Sequence, residues 1–260
     1  MTNSVPRSPV TLVISAMPSE LVPIRAKLEG KSGGTLACFP FQEGSIAGRR
    51  TITVVCGVGV TNGAMVTALF AHHFQPGEVV VTGTGSRFNS ALETGDVVIS
   101  KRTIHHAAGS LTEAGMVYRP VRGPLPNTMT PYAYPPDRAL FELALSAIKT
   151  YEPRSVTANG KTYTPRVLPG IVTASDLFGV SKAKIADMKK QLDPDIMEME
   201  SAAIAQVCWQ LGLPHIVFRA GSNFTQSDPG EDYRKVGQIA AASAARWTLH
   251  FLGVLAEAKN

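Results

Sequence analysis

The sequence predicts an α/β fold: one domain with a central mixed β-sheet flanked by helices. Short apolar segments rich in β-branched residues alternate along the chain with segments of helical pattern, the arrangement that puts helices on both faces of a sheet. No internal repeat, linker or low-complexity tract divides the 260 residues, a length that suits one large domain able to bury its own core. A hydrophobic content of 44% and a charged content of 17% belong to an ordinary globular protein. The domain is read over 1–260, with 1–10 as a flexible N-terminal tail.

The first strand spans 11–15, an apolar run, and a helix follows near 21–29 with Ser19 placed to cap it and Pro18 at its start. Residues 36–42 and 50–56 read as strands around a turn near Gly44 and Gly48. Thr61 and Asn62 open a helix to about 73, and 78–82 is a buried strand. Residues 97–100 form another strand, rich in β-branched side chains. From 109 to 136 the chain is loop-like, carrying Pro120, Pro124, Pro126, Pro131, Pro135 and Pro136. A stretch of that length is a functional lid, a subunit contact or a mobile surface insertion. An amphipathic helix at 137–150, a strand at 167–173 and a charged helix at 182–192 come next. Helices at 200–211 and 230–258 flank the last strand, 215–220.

The net charge is +5, but Lys and Arg are scattered and no basic run interleaves with aromatics, which excludes a nucleic-acid footprint beyond generic attraction. The three cysteines, Cys38, Cys56 and Cys208, are widely spaced and form no ligand pattern, so no metal is expected. No apolar run reaches the roughly 18 residues of a membrane span, and the N-terminus lacks a signal-peptide core. The expectation is a cytoplasmic protein with no membrane partner.

Chemistry concentrates in Asp195-Ile196-Met197-Glu198-Met199-Glu200-Ser201-Ala202-Ala203, which reads as a short strand running into a helix. Side chains two apart on an extended chain share a face, so Glu198 and Glu200 point the same way. Two carboxylates together are costly to desolvate unless a hydrogen-bonding ligand meets them. A carboxylate accepting from two adjacent hydroxyls is a natural reader of a ribose diol. Spacing alone favours the plainer reading, an exposed acidic pair where a strand ends.

Several segments carry a wider resemblance. Glu198-Met199-Glu200-Ser201-Ala202-Ala203-Ile204-Ala205 is the most specific, followed by Val81-Thr82-Gly83-Thr84-Gly85 with Glu93-Thr94-Gly95-Asp96-Val97-Val98. Ser15-Ala16-Met17-Pro18-Ser19-Glu20 and Cys56-Gly57-Val58-Gly59 add support. From Thr11 to the last helix the chain resembles the purine/uridine phosphorylase superfamily, nearest to its 5′-methylthioadenosine/S-adenosylhomocysteine nucleosidase branch. The resemblance implies a nucleoside phosphorylase-like fold and cleavage of the N-glycosidic bond of a purine ribonucleoside, such as 5′-methylthioadenosine, S-adenosylhomocysteine or a 6-oxopurine nucleoside.

It also implies roles. Glu200 would hold the diol, with Met199 against the sugar, Glu198 as an accessory pocket carboxylate and Phe178 as the platform under the base. Glu20 would activate water, held with Thr84 in the glycine turn beside Gly85. His106 would close the pocket, from this subunit or a partner. Asn223 departs from the branch, which has aspartate there; an amide can hydrogen-bond purine N7 but has no titratable proton to give. Arg87, with Ser86, could bind an anion or face solvent. Of the phosphorylases' two phosphate arginines, one position holds Val81 here and the other falls in the N-terminal loop near Glu20, where no arginine stands; their absence favours water as nucleophile. The second reading is a phosphorylase with inorganic phosphate as co-substrate, held by Arg87; the third is a nucleoside-binding relative with weak or no catalysis. No metal or redox cofactor is implied. A homodimer or higher oligomer is, with 109–136 as the candidate contact.

Overall fold

A computed structural model describes residues 8–113, 115–177, 181–225 and 229–259. In chain order the elements are β1 (Ser8–Ser15), α1 (Pro18–Ala26), β2 (Glu29–Leu36), β3 (Phe39–Ile46), β4 (Arg49–Val55), α2 (Val60–Phe74) and β5 (Pro76–Arg87). Then come β6 (Val97–His105), β7 (Gly109–Thr112), β8 (Gly115–Tyr118), α3 (Arg138–Ala147), a 3₁₀ turn (Ile148–Thr150), β9 (Val156–Ala158) and β10 (Lys161–Tyr163). The chain continues with β11 (Val167–Ala174), α4 (Lys182–Gln191), β12 (Ile196–Glu198), α5 (Ser201–Gln210), β13 (His215–Phe224) and α6 (Pro229–Lys259).

Nine strands form one mixed sheet in the order β12-β11-β6-β13-β5-β1-β4-β3-β2. The alternation of side chains along each strand divides the core in two. Val13, Val80, Ile99 and Phe218 face α1, α3 and α6, where Leu21, Ile24, Leu140, Trp247 and Phe251 pack on them. Their neighbours Leu12, Ile14, Val79, Val81 and Val217 face the opposite side, covered by Val66 and Phe70 of α2 and Ile204 and Cys208 of α5. Among the described residues one helix, Tyr233–Lys259, is long and apolar enough to cross a membrane; its apolar window is 61% buried in the molecule. It lies along β13, and Trp247 and Phe251 stack edge-on with Phe218.

Strand β5 ties the site together. It pairs in parallel with β1 and β13 along most of its length, and its last residues turn to pair antiparallel with β12, Met197 opposite Ser86 and Ile196 opposite Arg87. Because β12 also pairs with β11, the strands β5, β13, β6, β11 and β12 close into a ring. At the far end of β5, buried Glu78 receives Arg49 at 2.6 Å and Lys259, at the end of α6, at 2.5 Å.

Several expectations are corrected. Residues 8–10 belong to β1, not to a tail, because β5 begins early enough to extend the ladder to Ser8 opposite Pro76. The glycine-rich stretch after α1 is an edge strand, β2, hairpinned onto β3. The glycine turn after 82 is a continuation of β5. The stretch 109–136, read as loop, contains the β7–β8 hairpin, and β9–β10 is a second small hairpin that the sequence reading did not anticipate.

Candidate active site

The carboxyl-terminal ends of β5, β12 and β13 meet the first turn of α1 and the start of α5, the place where α/β folds form crevices. They enclose a cavity of about 400 Å³ whose lining includes Met17, Glu20, Thr84, Gly85, Ser86, Glu198, Met199, Glu200, Ser222, Asn223 and Tyr233. Eight of the residues given a role from sequence therefore share one space: Glu20, Thr84, Gly85, Ser86, Glu198, Met199, Glu200 and Asn223. Phe178 lies outside the described residues.

Glu20 is buried at the start of α1 and its carboxylate meets four donors. Oε2 accepts from Ser15 Oγ at 2.5 Å and Met17 N at 3.1 Å; Oε1 accepts from both Thr84 N and Thr84 Oγ1 at 2.8 Å. The chain approaches closely here. A Cβ on Gly83, whose φ is +155°, would sit 2.4 Å from Arg219 Nη1 and 2.9 Å from Glu20 Oε1.

Arg219 is the hub that sequence reading left without a role. It is fully buried. Its Nη2 lies 2.5 Å from Glu198 Oε2 and 3.2 Å from Glu200 Oε2, while Nε donates to Ser201 Oγ at 3.1 Å. Glu198 also accepts the backbone N–H of Glu200 and of Ser201, so it holds Arg219 and caps the entry to α5. Its oxygens serve the scaffold, which makes it a support for Glu200 more than a free pocket acid. Glu200 accepts from Gly59 N at 2.9 Å, at the entrance to α2. Burial first, and then the Glu198 charge, push the Glu200 carboxyl well above the usual carboxylate range, against the pull of Arg219. Asp176 anchors the same helix start by accepting from Val60 N.

Asn223 is 3% exposed. Its Oδ1 faces Ser222 Oγ at 3.0 Å and Ser86 Oγ at 3.4 Å, and its buried Nδ2 has no partner among the described residues. That donor is free for a ligand acceptor.

Two expected pocket residues sit elsewhere. Arg87 donates from Nε to Ser222 O at 3.0 Å and from Nη1 to Leu92 O at 2.8 Å, bracing β13, and does not line the cavity. Its stem crosses Gly221, where a Cβ would come within 2.5 Å of Arg87 Cγ. His106 is fully buried behind the site, 2.6 Å from Ser175 Oγ, which in turn accepts from Leu177 N. Burial, with smaller contributions from Lys184 and His105, lowers its pKa to about 3, so it is a neutral prop for the 175–177 loop. Tyr233, from α6, was missed; a single tyrosine in a long helix carries no signal of its own.

The family model for the phosphorylase superfamily matches residues 11–253. The chain belongs to this superfamily. Among its relatives, the 5′-methylthioadenosine/S-adenosylhomocysteine nucleosidase of Geobacillus kaustophilus is 31% identical over 94% of this chain and 96% of its own. The nucleosidase of the same description from Mycobacterium bovis is 30% identical over the same shares. Among solved structures, the Neisseria meningitidis nucleosidase in complex with methylthio-immucillin-A superposes with a TM-score of 0.80 at 28% identity, covering 95% of this chain and 99% of that one. The Colwellia psychrerythraea nucleosidase in complex with adenine gives 0.80 at 27% identity, with 96% of each chain covered. The superfamily fold, a mixed sheet flanked by helices in one domain, is the one described above.

Proposed function

We propose that the protein is a purine nucleosidase that hydrolyses the N-glycosidic bond of a ribonucleoside, of the kind named for its relatives: 5′-methylthioadenosine, S-adenosylhomocysteine or a nucleoside close to them. One observation carries the choice of water over phosphate. Among the described residues lining the cavity are Glu20, Glu198 and Glu200 but no Lys, Arg or His. A phosphate dianion would meet carboxylates without a cation to balance them, and Arg87 is engaged with backbone carbonyls.

In this reading Glu200 takes the 2′,3′-diol, Met199 packs against the sugar and Asn223 Nδ2 donates to purine N7. As the ribose gains oxocarbenium character, a water gives a proton to Glu20 and its oxygen bonds to the anomeric carbon. The C–N bond breaks with its electron pair leaving on the base, which takes a proton from solvent. The step calls for no metal or redox group. Phe178 remains our choice for the base platform. A homodimer in the cytoplasm is the proposed state, supported by half-exposed apolar residues at the cavity rim, Val58 and Leu177, which a second copy would cover.

The test is to incubate purified protein with methylthioadenosine, S-adenosylhomocysteine, adenosine, inosine and guanosine, with and without phosphate, and to quantify free base. Release at the same rate without phosphate is expected. Release that depends on phosphate and yields ribose 1-phosphate would overturn the hydrolytic reading.

A further inference from the structure

A general base must have a lone pair for the proton it takes, and an ionised carboxylate offers about four acceptor sites. In Glu20 all four are occupied by the protein. Two of the donors are backbone N–H groups, of Met17 and Thr84, which cannot turn away. Ser15 Oγ is buried and does not line the cavity. The Thr84 hydroxyl is different: it lines the cavity and can rotate. Something must receive it when it does.

Tyr233 stands in that place. Its hydroxyl is 3.5 Å from Thr84 Oγ1 and 3.6 Å from Met17 Sδ. A thioether has no proton to give, so between these two atoms the tyrosine donates and its oxygen is left free to accept. The ring is seated by Gly237, one turn along α6, where a Cβ would come within 2.8 Å of the ring. Burial raises the Tyr233 pKa, which keeps the phenol protonated.

We propose that Tyr233 is a positioning residue that arms Glu20: it accepts the Thr84 hydroxyl, turns it off Glu20 Oε1 and opens that oxygen to the attacking water. The inference rests on the hydrolytic reading above. With Thr84 turned toward Tyr233, the water donates one hydrogen to Glu20 Oε1 and the other to Thr84 Oγ1. Both of its lone pairs then remain for the anomeric carbon. Proton balance is unchanged by the turn: the hydroxyls of Thr84 and Tyr233 keep their protons, and only the water loses one, to Glu20.

The test is a double-mutant cycle of Y233F and T84A, read in kcat and KM on the nucleoside that the wild type hydrolyses best. Y233F is expected to lower kcat about tenfold with KM within about twofold, the loss of one well-placed hydrogen bond in the transition state. In the T84A background, where no side-chain hydroxyl competes for Glu20, Y233F is expected to change kcat less than about twofold. T84S, which keeps the hydroxyl, is expected to restore the full sensitivity. Equal losses in both backgrounds would overturn the inference, as would a rise in KM with kcat unchanged, since Tyr233 would then act as a substrate contact. These results leave the hydrolytic reading standing. A wild type that releases base from no nucleoside, or only with phosphate, would overturn that reading and the inference with it.

Discussion

The Asn223 amide turns its oxygen to two serine hydroxyls and leaves Nδ2 buried without a partner among the described residues, so in the proposed reaction a purine N7 would meet a donor that keeps its own proton. Replacing it tests how much proton donation matters here. N223D is expected to raise kcat on adenine nucleosides by about ten- to a hundredfold at the acid end of the profile, within the usual range of general acid catalysis. It is also expected to add a falling alkaline limb to the pH–rate curve that the wild type lacks. A curve of unchanged shape would show that leaving-group protonation is not limiting. At this scale the carboxylates were legible because Glu198 and Glu200 sit in one short motif, where period two fixes their common face. Arg87 and His106 were misplaced because their direction depends on partners distant in sequence, Ser222 and Ser175. Arg219 has no role that the sequence assigns: nothing local says that a guanidinium will be buried between two glutamates.

Strands β5 and β13 depend on one another through a single missing side chain. Gly221 leaves room for the Arg87 stem, and Arg87 in turn secures the carbonyls of Ser222 and Leu92. G221A drives a methyl into a stem tethered at both donors, and it is expected to destabilise the protein by about 1–3 kcal/mol, as overpacking does. Thermal melts of G221A and of G221A with R87A check this, the double variant regaining most of the loss to the single R87A value. Elements buried on both faces, such as 11–15, 78–82 and 215–220, were readable because each holds a short apolar run at its centre, 12–14, 79–81 and 216–218. Strand β2 was not, since seven of its eight positions are exposed and it offers no alternation to read. The same holds for β7 and β10, whose residues are mostly at the surface.

Across the whole molecule, buried histidines set the response to acid. His106 and His215 are neutral in the fold, their pKa values lowered chiefly by burial from 6.5 to about 3 and about 4. The unfolded chain binds protons that the folded chain refuses, so stability is full above about pH 6.5 and falls as pH drops toward 4. Glu200 works the other way: its raised pKa favours the fold most at low pH and gives that advantage up as pH rises. Two histidines outweigh one carboxyl, and calorimetry from pH 7 to 4.5 is expected to show a falling Tm, steeper still in E200Q. A flat or rising Tm would contradict the buried neutral state. The single-domain α/β architecture was legible at this scale from the alternation of segments, whereas the closure of the ring by β12 was not, because three residues pairing with two strands leave no pattern in composition. The cluster of Glu78, Arg49 and Lys259 has a practical side. It sits about 20 Å along β5 from Thr84, six residues of extended chain away. A linker joined to the main chain after Lys259, leaving its ammonium on Glu78, would therefore hold the protein from the end of β5 opposite the cavity, the orientation a sensor chip or packed reactor bed needs.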